Sequence, residues 1–329
     1  MKGKLWMVGG MFILVITLVL AMTTVIYGAG GPHDGTFTST TDACAGCHRA
    51  HTAVASKLLQ STQEVLCLSC HDGSGADTDV ENGVLVGGTQ GTVGAGLRGG
   101  GFSYAVMDTN LDNIGTSNAT TSTHTMEASG AVVWGSGGLN DPSDKGEVMV
   151  TDLGCGNCHN PHGNSNYRIL RSMPTGLVTD VPTANVTIEV GLTDDYTVVD
   201  TTDNYTDFSG YTSGITSEMS EWCGQCHKRY IAGDSSATTD STDTVFAFRH
   251  ETNTSNTPNE CLDCHVAHGT SAGMNGGDGY AENTTYIIWP DSFDGVDWQG
   301  SENDFSRLLR VDNRGICIVC HSSSELTEN

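Results

Sequence analysis

The chain has 329 residues, with 39 acidic against 14 basic side chains and a net charge of −25. Hydrophobic residues make up 37%, aromatics only 7%, and there are 42 glycines, which argues against two conventional domains with large side-chain cores. So acidic a balance also argues against nucleic acid as a partner, because phosphate binding needs a basic footprint.

Residues 1–29 read as an export signal. Lys2 and Lys4 form a basic start, residues 6–26 are almost wholly apolar, and Gly28, Ala29 and Gly30 supply the small side chains of a cleavage site. The apolar run is long enough to cross a bilayer if left uncleaved. The small-residue site favours cleavage near 28–30, which would leave no stable membrane anchor. Residues 30–329 are then expected to form a single exported domain, extracellular or on the outer cell surface, with the periplasm as the alternative.

From there on one motif recurs. The 12 cysteines fall as Cys44 and Cys47, Cys67 and Cys70, Cys155 and Cys158, Cys223 and Cys226, Cys261 and Cys264, and Cys317 and Cys320. Every pair is C-x-x-C, and the next residue is histidine each time: His48, His71, His159, His227, His265 and His321. Disulfide frameworks and zinc ribbons use paired cysteines but give no reason for that histidine. C-x-x-C-H is the attachment signature of c-type haem. Two thiols reach the two vinyl groups of a porphyrin and become thioethers, and the adjacent imidazole becomes the proximal iron ligand. Six covalently bound haem c groups are expected.

Six histidines remain: His33, His51, His124, His162, His250 and His268. They match the number of irons and are the candidate distal ligands. His51, His162 and His268 each lie three residues after a motif histidine. Side chains at i and i+3 of a helical turn are only about 5–6 Å apart at Cβ, too close to straddle one porphyrin. Each is therefore expected to reach a haem other than its own, drawing two rings together. Methionine is the rival sixth ligand, but Met107, Met126, Met149, Met173, Met219 and Met274 follow no motif and read mostly as packing residues.

The spacers between motifs are irregular. Residues 52–66 are the best candidate for an amphipathic helix. Residues 73–154 are rich in glycine and threonine and read as long loops. Within 175–215, the runs 186–190 and 196–199 predict a hairpin, and within 266–316 a short strand is expected at 286–289 and a helical turn at 305–311. Arg168, Arg171, Arg307 and Arg310 are among the few cations, and arginine suits haem propionates. The fold class is thus a multihaem cytochrome c, mostly coil, with short helices and a few short β-strands wrapped round closely packed haems.

The chain resembles the OmcS-type hexahaem cytochromes that polymerise into extracellular nanowires. The resemblance rests on His33 followed by Cys44-Ala-Gly-Cys-His-Arg-Ala-His51, on Cys67-Leu-Ser-Cys-His-Asp-Gly, and on Cys155-Gly-Asn-Cys-His-Asn-Pro-His-Gly163. It covers the motif skeleton, not the long spacers. It implies stacked haems and a homopolymer in which a distal histidine near the N-terminus, His51 or else His33, ligates a haem of the adjacent subunit. The expected function is electron transfer from upstream cytochromes to extracellular acceptors. A monomeric shuttle is the alternative. A multihaem reductase is less favoured, because the spare histidines suffice to close every iron, and so no enzymatic activity is expected.

Overall fold

The computed structural model describes residues 44–85, 96–97, 99–107, 116–124, 132–134, 146–148, 153–176, 213–227, 261–272, 292–293, 296–297 and 308–309, with His33 and Tyr230. The expected export signal, the hairpin at 186–190 and 196–199, the strand at 286–289, His250 and the sixth motif lie outside them.

Among the described residues regular structure is sparse. Four α-helices occur there: α1 (Gln63–His71), α2 (Cys155–Cys158), α3 (Ser213–Cys223) and α4 (Cys261–Cys264). Ten short strands, β1 (Thr78–Asp79), β2 (Val84–Leu85), β3 (Tyr104–Met107), β4 (Thr116–Ala119), β5 (Ser122–Thr123), β6 (Val132–Trp134), β7 (Gly146–Val148), β8 (Gly269–Thr270), β9 (Ser292–Phe293) and β10 (Val296–Asp297), pair into two-stranded antiparallel ladders. Most ladders join neighbours in the chain. The β5–β8 ladder instead ties residues 122–123 to residues 269–270. Among the described residues, no helix is long and apolar enough to cross a membrane.

The helix expected over 52–66 begins only at Gln63. Lys57 and Leu58 both take a left-handed conformation (φ 59° each), which no right-handed helix accommodates. Glu64 in the first turn of α1 complements the positive end of the helix. The stretch 73–154, expected as loops, carries seven of the short strands. There β3 pairs with β4 through four registered positions, from Tyr104 opposite Ala119 to Met107 opposite Thr116.

Apolar burial comes in small clusters. Leu170 and Met219 pack with Cys158, Tyr167, Trp222, Cys223 and Leu262, while Ala105 and Val266 pack with Leu308. Polar contacts tie the helices together. The Gln63 side-chain oxygen accepts the N–H groups of Cys155 (2.9 Å) and Gly156 (2.7 Å), so the start of α1 caps α2. The buried Ser220 hydroxyl accepts the Cys261 N–H at 2.9 Å and caps α4 from α3.

Candidate haem-binding site

In α1 the sequence Cys67-x-x-Cys70-His71 occupies positions i, i+3 and i+4 of a helix, so both thiols and the imidazole lie along one face. The helices α2 and α4 present Cys155 and Cys158, and Cys261 and Cys264, in the same way. None of the ten described cysteines is paired in a disulfide. Neighbouring motifs meet thiol to thiol. Cys67 donates to Cys155, which raises the Cys67 pKa and lowers that of Cys155. Cys223 likewise donates to Cys261 and is raised by it. Burial pushes Cys158 up to about 12, with Cys226 close enough to add to the effect. Burial also raises Cys47, followed by the nearby Cys67 and Cys70. The first five motifs therefore succeed one another in space in their chain order.

Four of the spare histidines face a motif histidine. His162 faces His48 with ring centroids 6.1 Å apart and planes 15° from parallel. His33 faces His71 at 6.2 Å and 19°. His268 faces His159 at 6.4 Å and 52°, and His124 faces His227 at 6.4 Å and 36°. Rings in direct contact would stand about 3.5–4 Å apart. These gaps instead match one metal atom bonded to a ring nitrogen on each side, at about 2 Å per bond. His51 is exposed, and among the described residues no ring faces it.

Hydrogen bonds select the tautomer that such a metal requires. Nδ1 of His48 lies 2.9 Å from the Lys57 carbonyl, and Nδ1 of His159 lies 2.9 Å from that of Arg168. Nδ1 of His33 meets the Pro161 carbonyl at 2.7 Å, and Nδ1 of His124 meets that of Ala267 at 2.5 Å. Nδ1 of His71 bonds the Thr78 hydroxyl at 3.0 Å. A carbonyl can only accept, so in His33, His48, His124 and His159 Nδ1 carries the proton and Nε2 keeps its lone pair for iron, whereas the Thr78 hydroxyl can serve His71 in either role. Burial also lowers the pKa of His71 and His159, and takes His268 to about 4, which keeps the rings neutral. The donor set and its spacing fit haem c held by two thioethers and two imidazoles.

A second recurring element was not anticipated from the motifs. Lys57-Leu58-Leu59 and Arg168-Ile169-Leu170 each lay a strap beside the histidine of the preceding motif, through the bridges His48–Leu59 and His159–Leu170. The Arg49 N–H donates to the Leu58 carbonyl at 2.7 Å, and the Asn160 N–H donates to that of Ile169 at 2.8 Å. Val266 makes the same bond to Leu308 at 2.9 Å, beside the bridge His265–Leu309. The left-handed residues Lys57, Leu58, Arg168, Ile169 and Leu308 lie in these straps. At about 1–2 kcal/mol each, this strain is held by the bonds to the motif. The signal in the sequence is a cation, then Leu or Ile, then Leu: residues 57–59, 168–170 and 307–309.

Of Met173 and Met219, both expected to pack, one does and one does not, and Arg168 and Arg171 interact within the chain. Met219 lies in the Leu170 cluster and Met173 is exposed. The Arg171 Nε donates to the Gly156 carbonyl at 2.6 Å, and the Arg168 guanidinium lies 5.1 Å from the centre of the Tyr167 ring.

Residues 38–76 match the family described as a doubled CXXCH motif. No curated protein and no solved structure matches the chain. The matched segment holds two C-x-x-C-H motifs with the first strap between them. The order motif, strap, motif recurs at Cys155, Leu170 and Cys223, and again at Cys261, Leu309 and Cys317, with longer spacers. The chain carries covalently bound haem c through these motifs and is a multihaem c-type cytochrome of mostly coil structure with a role in electron transfer.

Proposed function

We propose that the chain binds six haems, is built as three successive motif–strap–motif units, and works as an electron-carrying subunit of an extracellular homopolymer. When bound, the haems supply one-electron transfer, and the protein sets their ligands, spacing and surroundings. The distal ligands are His162 for the haem at His48, His33 at His71, His268 at His159 and His124 at His227. Two imidazoles on each iron leave no coordination position for a substrate, so the chain is a conductor and not an enzyme.

The observation that carries the polymer is the direction of the ligand pairs. His162, in the second unit, faces His48 of the first, and His268, in the third, faces His159 of the second. Each unit gives the histidine three residues after its first motif to the unit before it. His51 is that histidine in the first unit, and residues 1–43 hold no C-x-x-C-H motif. The matching recipient is a haem of another copy. Exposure supports the same reading. Leu58 is 55% exposed and Val54 76%, whereas Ile169, at the strap position of Leu58 in the second unit, is 9% exposed.

By the same reasoning His250 supplies the haem at His321. His250 precedes Cys261 by the interval at which His33 precedes Cys44, and His33 faces the second motif of its own unit. Export through the signal at residues 1–29 and acceptors outside the cell complete the reading.

The test is His51→Ala in the secreted full-length holoprotein, followed by electron microscopy and light scattering. Loss of polymer with the fold intact is the expected result. Polymers of normal length would overturn the trans ligand. A chain that never polymerises, with or without His51, would be a monomeric shuttle.

A further inference from the structure

We propose that Pro161 and Ala267, each the residue before a distal histidine, are positioning residues for a second distal histidine, so that each joint between units serves two irons through two adjacent residues. The inference rests on the reading of each opposed pair as the ligands of one iron.

The arrangement occurs twice with the same parts. At the first joint His162 faces His48, while the Pro161 carbonyl accepts from Nδ1 of His33 at 2.7 Å and His33 faces His71. At the second joint His268 faces His159, while the Ala267 carbonyl accepts from Nδ1 of His124 at 2.5 Å and His124 faces His227. His48 and His71 belong to the first unit, His159 and His227 to the second. Both haems of a unit are thus completed by contact with the unit that follows. One receives a ligand from it, and the other receives the carbonyl that orients its ligand. His33 and His124 lie 128 and 143 residues from their acceptors, so local chain geometry cannot produce the coincidence.

The local sequence explains why the carbonyl is available. Asn160-Pro161-His162-Gly163 forms a β-turn, closed by the Gly163 N–H donating to the Asn160 carbonyl at 2.9 Å. Asparagine first, proline second and glycine fourth are the residues such a turn favours. The turn consumes the Asn160 carbonyl and proline fixes φ at residue 161, which holds the Pro161 carbonyl outside the turn's own bond. The Asn160 N–H, donating to the Ile169 carbonyl at 2.8 Å, anchors the turn to its strap. Around Ala267 the main chain is anchored on both sides instead. The Val266 N–H donates to the Leu308 carbonyl at 2.9 Å, and the His268 N–H to that of Gly99 at 2.7 Å. His124 is then gripped at two points, because its own N–H donates to the His268 carbonyl at 2.9 Å. In both places the acceptor fixes the tautomer and the ring plane, so the imidazole meets its iron already oriented.

The test is ligand rescue in the full-length holoprotein. His33→Gly and His124→Gly should each turn one haem equivalent per chain high-spin in EPR, and added imidazole should restore the low-spin form. 1-Methylimidazole can bind iron but has no N–H for the carbonyl. It should bind about tenfold more weakly than imidazole at both sites, the lower end of what loss of such an outer partner costs. In the His33→Gly background, Pro161→Gly should remove most of this preference and Pro161→Ala should keep it, since alanine serves at position 267. A merely structural proline would alter stability in these variants but not the preference. Equal rescue by the two imidazoles, or a preference untouched by Pro161→Gly, would overturn the positioning role and leave the ligand pairs standing. A glycine variant with no high-spin haem would refute the ligand pair at that site, and the inference with it.

Discussion

Replacing His162 with alanine separates the crossed ligand arrangement from one in which each motif completes its own iron. The His162 ring stands 6.1 Å from His48, in another unit, and none of the other three opposed pairs includes it. His48 keeps its Nδ1 bond to the Lys57 carbonyl at 2.9 Å, and the main-chain bond from residue 162 to Asn160 Oδ1 (3.2 Å) survives in alanine. His162 is exposed, so its side chain contributes little burial and the change in fold stability should stay within about 1 kcal/mol. The spectroscopic change should be one haem equivalent per chain passing from low to high spin, with the remainder unaltered. The open position faces solvent, so carbon monoxide should bind on reduction and added imidazole should restore the low-spin form. The decisive assay repeats the measurement in a Cys44→Ala, Cys47→Ala background that lacks the first haem. There His162→Ala should add no high-spin signal in EPR. If the signal persists in that background, His162 serves a different iron and the step from each unit to the one before it is wrong.

Two further substitutions test the scaffold. Gln63→Ala removes the acceptor for the Cys155 and Gly156 N–H groups and should cost about 1–3 kcal/mol, read as a lower midpoint of thermal unfolding. A midpoint equal to the parent would show that α2 does not depend on this cap. Glycine in the straps should act differently at equivalent positions. Leu58→Gly gives up little burial, and relief of about 1–2 kcal/mol of left-handed strain offsets the entropy of glycine, so the midpoint should barely move. Ile169→Gly loses a buried side chain worth about 2–5 kcal/mol and should be destabilising despite the same relief. Equal effects at the two sites would contradict the difference in their burial.

The motifs made the cofactor chemistry legible because covalent haem attachment needs two thiols and an imidazole at fixed spacing. The same spacing argument indicated that His51, His162 and His268 could not serve their own haems, and the structure turns His162 and His268 toward other motifs. Which motif each one faces was not legible, because it depends on contacts such as Gln63 to α2 that join residues far apart in sequence. His33 and His124 stood outside any motif, and their bonds to Pro161 and Ala267 cross more than a hundred residues. The straps were missed for a different reason. A cation before two aliphatic residues reads as ordinary amphipathic helix, and nothing in Lys57-Leu58 announces two consecutive left-handed residues. Only its recurrence after the third and fifth motifs distinguishes it. The stretch 73–154 read as featureless loop because glycine hides its role. At Gly99 and Gly100 the side chains are absent so that the backbone can lie against His268 and Gly269.

The relation between unit and ligand accounts for how so little side-chain core can suffice. Buried apolar residues form small clusters, and one of them bridges units, with Leu170 and Met219 packing against Leu262. In the proposed reading the facing histidines make the same kind of link, since His162 and His268 would each complete a haem of the preceding unit. Each such bond would tie two units at a point where packing alone is weak. In the proposed arrangement His51 is the donor histidine for a haem of another copy. Subunits carrying −25 repel one another, and exposed Val54 and Leu58 offer only modest apolar area to oppose that. A histidine–iron bond between copies would be short-ranged and little affected by screening, so added salt should ease the approach of subunits without weakening the bond that joins them.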